Sequence, residues 1–196
     1  MLATLDDSSL HLYFKCINMK NRSEVTQRQI GLKEIYLKDP TLAFITDSSE
    51  VIGKNLQDPF RTSVTISDEL HVPFKVGIHR AVGGDHDFPN PGDILCAALA
   101  CCFESTVRMI ANRLNIQLQE TKVKAIAQVD VRGTLLLDKK VPVGFQSMQL
   151  EVKLVSNDTD PKLMNILLKA AEQSCIIYQT LKQGLPIEIK ANIKGK

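Results

Sequence analysis

Two cysteines are set apart from the other reactive side chains by where they fall. Cys102 lies about three turns into a long apolar segment, and Cys175 lies at a similar depth in a second one. A thiolate is a nucleophile and a metal ligand, and two thiols that meet form a redox couple. Either cysteine can equally serve as a small hydrophobe in a core. Metal binding finds no support in the spacing. Cys101-Cys102 is not a C-x-x-C pair, and His11, His71, His79 and His86 are scattered outside the helical segments. Gly83-Gly84 belongs to no Walker or dinucleotide pattern, so no phosphate cradle is expected. Cys16, Cys96 and Cys101 read as packing, Cys101 pointing about 100° away from Cys102 around its helix.

The elements that must position these thiols can be read from the hydrophobic pattern. Asn90-Pro91 is a helix start, asparagine capping and proline occupying the first turn, where its missing N–H costs nothing. The helix it opens runs to about Leu114, and its first half, DILCAALACCF, is apolar on every side, as in a helix buried all round. Asp160-Pro161 opens a second helix. In it Leu163, Ile166, Leu167, Ala170, Ser174, Cys175, Tyr178 and Leu181 recur at spacings of three and four until Gly184, with Cys175 on the buried face. Strands are expected at Leu42–Thr46, Thr62–Ile66 and Leu70–Ile78, then at Val123–Val131 and Met148–Leu154, joined through Gly133 to Gly144. Ile187, Ile189, Ala191 and Ile193 alternate in a last strand. The fold class is α+β, with antiparallel sheets packed around two long central helices. Residues 1–41 form an extension with a short helix before Asp39-Pro40, and residues 42–196 form the domain.

Composition narrows the function. The 196 residues carry 24 Lys+Arg against 22 Asp+Glu, a formal charge of +2 that gives no grip on nucleic acid. With 44% apolar residues the chain can build a sizeable core. The most apolar run, Ile94 to Phe103, is about half of a membrane span, so no membrane association is expected. Aspartates near the amino terminus stand where a secretory signal would carry positive charge, and the odd cysteine count fits reduced thiols. A cytoplasmic protein is the expectation.

The stretch Asn90-Pro91-Gly92-Asp93-Ile94-Leu95-Cys96-Ala97-Ala98-Leu99-Ala100-Cys101-Cys102-Phe103 resembles the helix motif of the OsmC/Ohr family, the osmotically inducible protein C and organic hydroperoxide resistance proteins. Ala171-Glu172-Gln173-Ser174-Cys175, with Thr180-Leu181 and Pro186-Ile187 after it, is similar to that family's second cysteine helix, and the resemblance runs from about Leu42 to Ile193. It implies an intertwined homodimer and a thiol peroxidase, an antioxidant stress-response enzyme acting on organic or fatty-acyl hydroperoxides. Cys102 falls on the peroxidatic position and Cys175 on the resolving one, and an external dithiol, a lipoyl group or small thiol, resets the pair. No metal or bound cofactor is implied. Cys102 is too deep in its helix for the amino-terminal dipole to ionise it, so a cation is needed. Arg61 and Arg80 are the two candidates, with Asp93 to orient the arginine. The sequence departs from the family at Gly92, which stands at the usual glutamate position one residue before Asp93, and at Ile176, where proline often follows the resolving cysteine. Phe88, Phe103, Met109 and Tyr178 are candidates to line an apolar substrate pocket. The alternative is a non-catalytic ligand-binding or redox-sensing module of the same fold.

Overall fold

Asn90 opens the element around which the others are arranged. Its Oδ1 accepts the Gly92 N–H at 2.8 Å and the Asp93 N–H at 3.3 Å, and Asp93 Oδ2 accepts the Asn90 N–H at 3.0 Å. This reciprocal capping box satisfies donors that a helix start otherwise leaves orphaned. The helix that follows, α2 (Pro91–Arg113), comes after α1 (Glu24–Lys38) in the chain. The computed structural model describes residues 23–157 and 159–195. The readings of His11 as lying outside the helices and of Cys16 as packing, and much of the proposed 1–41 extension, fall outside the described residues.

Beside α2 the chain builds two antiparallel sheets. β1 (Ser49–Val51), β2 (Arg61–Ile66) and β3 (Val72–Gly77) form a meander in which Ser49 faces Ile66 and Arg61 faces Gly77. β4 (Glu120–Gln128) and β5 (Ser147–Val155) form a long hairpin, with Glu120 opposite Val155 and Gln128 opposite Ser147. Alternation turns Val123, Leu150, Val152 and Leu154 of that hairpin toward α2. The core lies between them, built from Phe103, Val107, Ile110 and Ala111 of α2, with Ile116, Leu167, Ala171 and Cys175. The three-stranded sheet buries only Val76 and Gly77, so it stands largely apart from this core.

Several expectations are corrected. The second helix is not continuous: it divides into α3 (Pro161–Ser174) and α4 (Ile176–Gln183), with Cys175 extended between them at φ −76° and ψ 114°. Cys175 is therefore at a helix junction and not three turns into one helix, although it is fully buried. Leu42–Thr46 is not a strand. Asp39 caps a 3₁₀ turn at Pro40–Ala43, accepting the Thr41 N–H at 3.0 Å, and the first strand moves to Ser49–Val51. The helix before Asp39 is longer than expected because Ser23 caps it by accepting the Thr26 N–H. The Val123–Val131 strand sits earlier, at Glu120–Gln128.

Two further differences share one cause. Residues 187–193 form no strand among the described residues, and Ile187, Ile189 and Ile193 are 89%, 87% and 89% exposed. The first half of α2 is not buried all round, since Ala97, Ala98 and Cys101 are exposed. Both patterns are apolar surfaces that no other described residues cover. By length and composition α2 could also cross a membrane, a property that core helices share.

Candidate active site

The two cysteines of interest fall in one packed region. Cys102 lies half-buried on α2, packed against the core cluster that contains Cys175, near enough for its thiol to bear on the Cys175 ionisation. Both are free thiols. Cys175 has a double role in the backbone: its N–H closes α3 on the Ala171 carbonyl at 2.9 Å, and its carbonyl opens α4 by accepting the Gln179 N–H at 3.0 Å. Its Sγ accepts the Tyr178 N–H at 3.5 Å, so the sulfur is the side-chain cap of α4. Burial pushes the Cys175 thiol above the ordinary cysteine value, the Tyr178 amide pulls it back, and Cys102 raises it further.

Neither candidate arginine bonds to a cysteine among the described residues. Arg61, at the start of β2, donates from Nε to Asp87 at 2.8 Å and from Nη1 to Asp58 at 3.2 Å, and from Nη2 to Asp85. Arg61 holds the Asp87 carboxyl below its usual range, while Asp58 is lowered first by the Phe60 N–H and then by Arg61. Arg80 donates from Nε to the Asp85 carbonyl at 3.2 Å. Asp93 faces Asn90 and lies 3.5 Å from His86 Nε2, with no bond to either arginine. At Gly92 a Cβ would come within 2.9 Å of Asn90 Oδ1 and 3.1 Å of the Phe145 ring, so the cap and Phe145 occupy the space a longer side chain would need.

The four pocket candidates are not brought together in one chain. Phe103 is buried with its ring 6.0 Å from that of Tyr178. Phe88 instead lies under Lys75 Nζ, 5.2 Å from the ring centre, and Met109 faces a cleft near the carboxyl end of α2. Tyr178 borders a different groove of about 460 Å³, walled by Leu95, Leu99, Phe145, Met148 and Leu181 with Lys182 at its rim. This groove is adjacent to the thiol-bearing helices.

A family model described as OsmC-like protein matches residues 84–190, more than half of the chain and the whole span from the Gly84 turn past both cysteines. The chain belongs to the OsmC-like family. Among OsmC-like folds of known structure, it is similar to the OsmC-like protein VCA0330 of Vibrio cholerae O1 biovar eltor str. N16961, at a TM-score of 0.58 and 13% identity over 70% of this chain and 94% of that one. It is also similar to an organic hydroperoxide resistance protein of Elizabethkingia anophelis, at a TM-score of 0.53 and 20% identity, covering 71% and 89%. In sequence it is 22% identical over 119 residues to the uncharacterized protein YmaD of Bacillus subtilis (strain 168), covering 61% of this chain and 77% of that one.

In this OsmC-like chain one group escaped sequence reasoning. Glu172, on the last turn of α3, accepts the Tyr178 hydroxyl at 2.9 Å and Lys182 Nζ at 3.4 Å. Separations of six and ten residues do not share a face on a continuous helix. Only the break at Cys175 brings these groups together.

Proposed function

We propose that this OsmC-like protein is a thiol-dependent peroxidase reducing organic hydroperoxides. The observation that carries the reading is that Cys102 on α2 packs against the buried cluster that holds Cys175, at the junction of α3 and α4. The Cys102 thiolate attacks the terminal peroxide oxygen, the O–O bond breaks, and the alkoxide takes a proton to leave as the alcohol. Cys102 is then a sulfenic acid. The Cys175 thiol displaces its hydroxyl, which leaves as water, and the two sulfurs are joined. An external dithiol restores both thiols by exchange, becoming a disulfide itself. The organic hydroperoxide resistance protein of similar fold supports this choice of substrate.

The same reading includes a homodimer. Ala97, Ala98 and Cys101 on α2 and the alternating isoleucines of 187–193 form apolar surface that a second copy would cover. Within the chain Arg61 is held by Asp58, Asp85 and Asp87 and Asp93 by the Asn90 cap, so the cation for Cys102, Arg61 or Arg80 oriented by Asp93, is proposed to take its place only on assembly. The test is one equivalent of cumene hydroperoxide on reduced protein. A mass loss of two hydrogens with a Cys102–Cys175 linked peptide is expected. Equal peroxide consumption by Cys102→Ser would overturn the assignment. The groove beside Tyr178 favours a second reading, a ligand-binding module, which tight fatty-acid binding without peroxide turnover would establish.

A further inference from the structure

Two helices joined by a single extended residue can swing about it, and Cys175 is that residue. Because its sulfur must come within about 2 Å of another to form a disulfide, the angle between α3 and α4 decides how readily the bond closes. The ties across the break converge on Glu172. Its carboxylate accepts the Tyr178 hydroxyl at 2.9 Å and Lys182 Nζ at 3.4 Å, and its backbone carbonyl accepts Gln179 Nε2 at 2.7 Å. All three donors belong to α4. Lys182 also lies 5.6 Å over the Tyr178 ring, whose other neighbour is Phe103, the residue after Cys102. A continuous path of contacts therefore runs from Glu172 through Tyr178 to the helix that carries Cys102. The carboxylate keeps 43% of its side chain exposed, so water screens the Lys182 attraction, and the Tyr178 hydroxyl bond is the stronger tie.

We propose that Glu172 is a positioning residue for the Cys102–Cys175 pair: by holding Tyr178, Gln179 and Lys182 across the break, it fixes α4 on α3 and aims the Cys175 sulfur at Cys102. The role deepens the peroxidase reading, but it concerns the closing of the disulfide and not the attack on peroxide. Glu172 itself touches neither sulfur in any hydrogen bond of the structure, so it acts through the helix it grips.

The test uses the full chain in glutathione redox buffers. Two thiols give up two electrons and two protons to form the Cys102–Cys175 bond, while glutathione disulfide is reduced to two glutathiones. Peptide mapping reads the fraction joined. Glu172→Ala should shift the equilibrium toward the open dithiol by about tenfold, the size of one charge-assisted hydrogen bond. Glu172→Gln, which keeps an acceptor oxygen for Tyr178, should stay within about threefold of the parent. Tyr178→Phe removes the same bond from the other side, should move with Glu172→Ala, and serves if Glu172→Ala does not fold. Parent-like equilibria in Glu172→Ala or Tyr178→Phe, or a parent that forms no Cys102–Cys175 bond at all, would overturn the proposal. A parent that closes the bond in glutathione but leaves cumene hydroperoxide untouched would reject the peroxidase reading and leave this one standing.

Discussion

Removing the side chain of Leu167 tests whether α3 is seated on α2 in the way that brings the thiols together. Leu167 is 0% exposed and belongs to the cluster with Phe103, Val107, Ala171 and Cys175. Leu167→Ala loses the transfer free energy of the deleted carbons and leaves a cavity that close-packed neighbours only partly fill, about 3 kcal/mol in all. For a chain of this size each kcal/mol lowers Tm by about 2–4 °C, so the fall should be roughly 6–12 °C. Its neighbour Leu168 is 36% exposed and provides the control, at about 1 kcal/mol for Leu168→Ala. Urea unfolding followed by circular dichroism measures both, provided the slope stays constant between variants. If Leu168→Ala costs as much as Leu167→Ala, α3 is rotated from the face described here, and the packing of Cys102 against the cluster that holds Cys175 loses its structural basis.

Four other outcomes follow from named contacts. Asn90→Ala removes the side-chain half of the α2 cap and should lower stability by about 1 kcal/mol in the same urea assay. The lowered carboxyls of Asp58 and Asp87 contribute stability above the unfolded value of about 3.9, and it is lost as pH falls through their depressed folded values. Arg61→Met should therefore move the acid-unfolding midpoint to higher pH, and an unmoved midpoint would show the cluster contributes nothing. The raised Cys175 thiol has the opposite sign: stability is intact below the unfolded thiol value of about 8.5 and is lost as pH rises toward the folded one, so Cys175→Ser should flatten the alkaline decline of the urea midpoint. Deleting residues from Leu185 onward should shift sedimentation toward monomer, whereas an unchanged oligomeric state would remove the tail from the proposed interface.

What could be read from the sequence was mostly what local chemistry decides. Asn90-Pro91 marked the start of α2, and the alternation in β2, β3 and β5 set the strands, because a cap or a pleat acts within a few residues. The break at Cys175 was invisible. Apolar spacing continues across it, Ile176 is no helix breaker, and the groups that hold it, Glu172 and Tyr178, pair only once the break exists. The 187–193 pattern alternates in the sequence but pairs with no strand among the described residues, because a period says nothing about whether a neighbouring edge is present. For the candidate site, the joint position of Cys102 and Cys175 could be anticipated from a family resemblance. The aspartates that surround Arg61 could not, since Asp85 and Asp87 approach it only through the turn after β3.

A sulfur that ends one helix and caps the next ties chemistry to backbone order. Oxidation or alkylation of Cys175 would change the acceptor that the Tyr178 amide proton points at, and with it the first turn of α4. That single amide is thus a built-in reporter, whose resonance position and rate of solvent exchange register the chemical state of a thiol that shows no surface of its own.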